Sequence, residues 1–72
     1  MLSACSKLNL QNYEQLKPGM EMSEVEELIG PASDCSETLS MQRCYWGNKE
    51  GVNIKILFIA GKVNYLGHDG LK

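Results

Sequence analysis

The chain has 72 residues, enough for one small domain and no second. Seven Lys and Arg stand against nine Asp and Glu, a net charge of −2 spread evenly along the chain, which argues against a nucleic-acid or anionic-lipid surface. The 43% hydrophobic and 22% charged content is that of an ordered globular domain, and a chain this short buries only about 60% of its unfolded surface, too little for a deep, water-excluding active site.

Taken in order, residues 1–9 are expected to form a lipobox remnant and a short polar tether, and residues 10–72 a single domain. Leu2-Ser3-Ala4-Cys5 resembles the bacterial lipobox: an apolar residue, two small residues, then Cys. The order follows from the chemistry. A transferase alkylates the thiol with diacylglycerol, a peptidase whose narrow cleft fits small residues cleaves before Cys, and the freed amine is acylated. These steps require an upstream basic-then-apolar leader, so Met1 is expected to be a leader remnant or an added start. Cys5 is the expected lipidation site, and several acyl chains, at about 0.8 kcal/mol per buried methylene, make anchoring stable. In enterobacterial lipoproteins an Asp after the cysteine retains the protein at the inner membrane, and Ser6 is similar to the outer-membrane pattern. The bland reading of the tetrapeptide is chance.

Leu10, Tyr13 and Leu16 recur at a spacing of three, predicting one or two helical turns over residues 10–17, closed by Pro18-Gly19. Ser23-Glu24-Val25-Glu26 has the form of a capping box. Val25, Leu28 and Ile29 make an apolar stripe on the helix it opens, and Gly30-Pro31 stops it. Glu24, Glu26 and Glu27 read as compensation of the helix dipole on a solvated face rather than as a cation site.

From Asp34 the apolar period becomes two, predicting strands near 34–38, 41–47, 52–59 and 62–67. A two-residue loop at Leu39-Ser40 sets Cys35 directly opposite Cys44, since 35 + 44 equals 39 + 40. A bridge there closes a loop of about ten residues and stabilises the fold by roughly 2.5 kcal/mol, and it implies an oxidising periplasm or exterior. Two free buried thiols, or a metal site with distant His68, are the rivals. Val52, Ile54, Ile56 and Phe58 alternate toward the core. With Ala60-Gly61 as a tight turn, Phe58 is expected to face Val63 and Ile56 to face Tyr65. The expected fold is α+β: two short helices on an antiparallel meander of three to four strands.

Catalytic chemistry is thin. His68 lies beside Asp69, but no nucleophile has a motif context near it, and neighbours on a strand point to opposite faces. No paired carboxylates, phosphate-binding glycine loop or zinc spacing occurs, so neither enzyme activity nor a cofactor nor a metal is expected. The five aromatics, Tyr13, Tyr45, Trp46, Phe58 and Tyr65, sit at core-compatible positions and are not interleaved with Lys or Arg, so no nucleic-acid platform is expected. What remains is surface. The last hairpin is expected to turn Lys55, Leu57, Ile59, Lys62, Asn64 and Leu66 away from the core. Leu57, Ile59 and Leu66 are then either a partner site or are covered by the N-terminal segment or a helix.

Tyr13-Glu14-Gln15-Leu16-Lys17-Pro18-Gly19-Met20 followed by Ser23 to Pro31 resembles the SmpA/OmlA (BamE-like) family of small bacterial outer-membrane lipoproteins. Cys44-Tyr45-Trp46-Gly47, Val52 to Phe58, Gly61-Lys62-Val63 and Gly70-Leu71 are similar to its strands in order and spacing, and the lipobox fits its anchoring. The resemblance implies a two-layer sandwich like that of β-lactamase-inhibitor-protein modules and an accessory role in assembling or stabilising outer-membrane proteins. It also implies that Gln11, Asn12 and Tyr13 contact partner or lipid. The expected function is a lipid-anchored periplasmic protein-binding module whose partner is an outer-membrane assembly component or another envelope protein. The alternative is a secreted inhibitor of a soluble enzyme.

Overall fold

The computed structural model describes residues 8–48 and 50–71. Two short helices, α1 (Leu10–Tyr13) and α2 (Met22–Ile29), precede four strands: β1 (Asp34–Thr38), β2 (Met41–Gly47), β3 (Asn53–Ile59) and β4 (Lys62–Asp69). The strands form one antiparallel sheet in chain order, β1-β2-β3-β4. The α+β class and the helix-helix-meander order are as the sequence periodicity predicts.

The helices and one face of the sheet share the core. Val25 and Ile29 from α2 and Leu16 from the turn after α1 meet Cys44, Trp46, Ile54, Ile56, Phe58 and Val63, all buried. The apolar positions of β2 and β3 fall at every second residue, which is what puts them on one face. Trp46 adds a polar tie to its apolar bulk: its indole N–H donates to the Gly30 carbonyl at 2.7 Å in a buried bond. That bond pins the end of α2 to the centre of the sheet.

The helix begins two residues earlier than its sequence signal suggests. Glu21, not Ser23, is the N-cap, and the Glu21 amide donates to Glu24 Oε1 at 2.9 Å. The reason is tertiary. Val63 N–H donates to the Met20 carbonyl at 2.8 Å, Gly19 N–H donates to the Val63 carbonyl at 2.9 Å, and Glu21 bridges to Lys62. The segment before α2 is thus held along the outer edge of β4, and the helix starts where that edge contact ends. The edge of β1 is the one open to solvent, and all five of its residues are exposed.

Three further details differ from expectation. Residues 14–16 leave α1 through tight turns, with Leu16 N–H donating to the Tyr13 carbonyl at 3.0 Å. Val52 lies outside β3 and is 43% exposed, because the Asn53 side-chain amide holds the preceding loop by donating to the carbonyls of Asn48 and Gly51. Most consequential is β4, which carries a β-bulge opposite Leu57 and Phe58: Phe58 pairs with Val63, but Leu57 pairs with Tyr65 and Ile56 with Leu66. The extra residue, Asn64, reverses the alternation beyond it. Tyr65 is therefore turned away from the core, and Leu66 onto it.

Candidate functional site

Both helices lie on one face of the sheet, and among the described residues nothing covers the other. The register lays that open face out in rows. Ser36, Arg43, Leu57 and Tyr65 form one row across all four strands, Asp34, Tyr45, Lys55 and Gly67 the next, and Thr38, Met41, Ile59 and Lys62 a third toward the hairpin tips. Two shallow depressions are set into it. The larger, about 290 Å³, is lined by Arg43, Tyr45, Lys55, Leu57 and Tyr65. The smaller, about 140 Å³, shares Arg43 and Leu57 and extends to Ser36, Thr38 and Met41.

The chemistry of this face is amphipathic. Met41 and Ile59 are each 37% exposed and Tyr65 is 59% exposed, a clustering that single scattered surface apolar residues do not show. The Tyr65 ring lies over Gly67: a Cβ there would stand 3.4 Å from Tyr65 Cε2 and Oη, so the glycine leaves room that the ring occupies. Arg43 and Lys55 lie diagonally on neighbouring strands, and no described carboxylate pairs with either. Lys62, at the margin, is engaged by Glu21 at 3.3 Å. Asp34 and Asp69 close the far end of the face.

The sequence-predicted site residues do not form one site. Leu57 and Ile59 are on the open face as expected. Leu66 is not: the bulge places it opposite Ile56, half-buried against the core. Gln11, Asn12 and Tyr13 form most of α1, in the helical layer, so they do not share a surface with Leu57 and Ile59. Gln11 is exposed, the Asn12 amide donates to the Asn9 side chain at 2.8 Å, and Tyr13 packs edge-on against His68 with ring centroids 4.5 Å apart. Burial, with the neighbouring Tyr65 phenol second, holds the Tyr13 phenol above its ordinary pKa of 10.0. Cys35 and Cys44 are directly opposite and joined by a disulfide, S–S 2.02 Å, with Cα atoms 4.1 Å apart. Cys5 and the rest of the expected lipobox lie outside the described residues.

Sequence reasoning missed Met41, Arg43, Tyr45 and Tyr65. Tyr45 and Tyr65 were expected at core-compatible positions, without interleaved cations; instead both face outward and alternate with Arg43 and Lys55. The signal for half of this was present: Arg43 and Tyr45 occupy the odd positions of a strand whose even positions, Cys44 and Trp46, are core. Among the described residues no three His, Cys, Asp or Glu side chains gather as a metal site requires, and no helix is long and apolar enough to cross a membrane.

No family model matches the chain, and neither a curated protein nor a solved structure does.

Proposed function

We propose that this chain is a lipid-anchored, periplasm-facing protein-binding module of the bacterial outer membrane, with a role like that of the SmpA/OmlA (BamE-like) lipoproteins. In this reading the two helices and four strands are a sandwich of the β-lactamase-inhibitor-protein kind. Cys5 carries the lipid, the tether spans the headgroups, and the domain presents its open sheet face to an outer-membrane assembly component or another envelope protein.

The observation that carries the reading is the open face: Met41, Leu57, Ile59 and Tyr65 lie beside two cations on the side of the sheet opposite the helices and the core. A small domain that left these residues in water for no purpose would incur solubility and aggregation costs. The Cys35–Cys44 bond is consistent with an oxidising compartment. Mass spectrometry of the full-length protein recovered from membranes tests the anchor, with a diacylglyceryl and acyl adduct expected on Cys5. A photo-reactive residue at Leu57 tests the docking, with a discrete adduct to an envelope protein expected in cells. An unmodified Cys5 removes the anchor from the account, and a soluble hydrolase recovered at Leu57 replaces assembly with inhibition.

A further inference from the structure

The open face has a direction along its strands. Its rows are about 7 Å apart, two residues of strand rise each. The row nearest the hairpin tips is apolar at its centre, with Met41 and Ile59 side by side. Just beyond it stands Leu39, 96% exposed at φ +54. A leucine at positive φ is strained backbone, and no packing of its side chain offsets the cost. Ala60 N–H donates to the Ser40 carbonyl at 3.1 Å, so the two hairpin tips sit together. Leu39, Met41 and Ile59 thus form an apolar lip at one end of the face.

One row inward the character changes. Arg43 lies in the next row and Lys55 in the one after, on adjacent strands, with Leu57 and Tyr45 filling the diagonal between them. Both cations are without a described carboxylate partner. The helical layer instead holds Glu14, Glu21, Glu24, Glu26 and Glu27. A chain of net charge −2 therefore keeps a positive centre on its open face, bordered by apolar residues on one side.

We propose that the open sheet face binds an extended acidic-aliphatic protein segment, an aliphatic side chain seated on the Leu39, Met41 and Ile59 lip and a carboxylate between Arg43 and Lys55. A carboxylate between the rows of Arg43 and Lys55 lies about 10 Å from the Met41–Ile59 row and farther from Leu39, so the two side chains stand four residues apart in the segment, a separation at which side chains on an extended chain point the same way. The proposal rests on the docking reading of this face and specifies the chemistry of the partner. Charge decides against other occupants. A second copy stacked face to face about an axis through Arg43 and Lys55 would set their like charges against each other. A nucleic acid needs a basic track for its phosphates, and here Asp34 and Asp69 close one end.

The test uses the full chain, isotope-labelled for NMR, and a synthetic capped nonapeptide in which Leu and Glu stand four residues apart with Ser between. Amide shifts are expected along residues 36–45 and 55–65. The variant Arg43→Glu with Lys55→Glu is expected to weaken binding at least about tenfold and to bind the same peptide with Lys in place of Glu. The milder pair Arg43→Gln and Lys55→Gln, whose melting is checked first, is expected to weaken both peptides' discrimination without reversing it. Equal binding of the Glu and Lys peptides, shifts confined to the helical layer, or absence of shifts at millimolar peptide overturns the proposal. So does tighter binding of phosphatidylglycerol vesicles or of oligouridylate than of the Glu peptide. If the photo-adduct at Leu57 persists in cells carrying the charge-reversed chain, the acidic chemistry is wrong while the docking reading stands. Loss of any Leu57 adduct in the unaltered chain overturns the docking reading itself.

Discussion

Replacing Cys35 by Ala isolates what the disulfide contributes. Cys44 is fully buried and Cys35 is exposed, so Cys35→Ala removes the bond while leaving the core packing of Cys44 in place. The bond closes a loop of ten residues, 35 to 44, and the chain-entropy relation assigns that closure about 2.7 kcal/mol. For a domain of this size each kcal/mol moves the melting temperature by about 4–8 °C, so a fall of roughly 10–20 °C is expected. The loss should also be uneven. β1 buries no residue, so without the bond only its ladder to β2 retains it. The assay is thermal unfolding of Cys35→Ala against the unaltered sequence, both in a Cys5→Ser background to prevent exchange, with hydrogen exchange read amide by amide. Early exchange of the β1 amides in the variant is expected, and adding reductant to the unaltered chain should reproduce it. A melting temperature within about 2 °C of the parent, or β1 protection that does not change, would refute the reasoning.

Three further outcomes are expected. Trp46→Phe deprives the Gly30 carbonyl of its buried donor and leaves a void, and denaturant titration should show a loss of about 2–4 kcal/mol. Leu39→Gly relieves a positive φ at no packing cost, so urea midpoints should rise by an amount worth about 0.5–1 kcal/mol, while affinity for the partner falls with the lost lip. Because the folded Tyr13 phenol has a raised pKa, the unfolded chain ionises first: stability is intact below pH 10 and declines as pH rises through and beyond it. Tyr13→Phe should flatten that alkaline decline in a pH series of melts, and an unchanged slope would contradict it.

β2 and β3 were legible because burial of one sheet face imposes period two, whereas β1, which buries no residue, was legible only as the partner strand of a two-residue hairpin. The disulfide was legible from arithmetic alone, since a two-residue loop sets Cys35 opposite Cys44. The end of β4 was not. Nothing local in Lys62-Val63-Asn64-Tyr65 announces a bulge, and one extra residue exchanges the faces of Tyr65 and Leu66. The same slip hid the candidate site, because it kept Tyr65 out of the open face and put Leu66 into it. The start of α2 was misplaced for a different reason. The sequence marks only Ser23 with Glu26, but the contact of Gly19 to Glu21 with the β4 edge starts the helix earlier, and Glu24 reaches back to the Glu21 amide there.

The most direct test of the account compares photo-crosslinking from its two layers in cells. A photo-reactive residue at Tyr65, on the open face, is expected to give one dominant adduct with an envelope protein, and the same residue at Glu27, on the exposed side of α2, to give none. Adducts of equal yield from both positions, or adducts from Glu27 alone, would contradict the claim that the uncovered sheet face is the working surface of this protein.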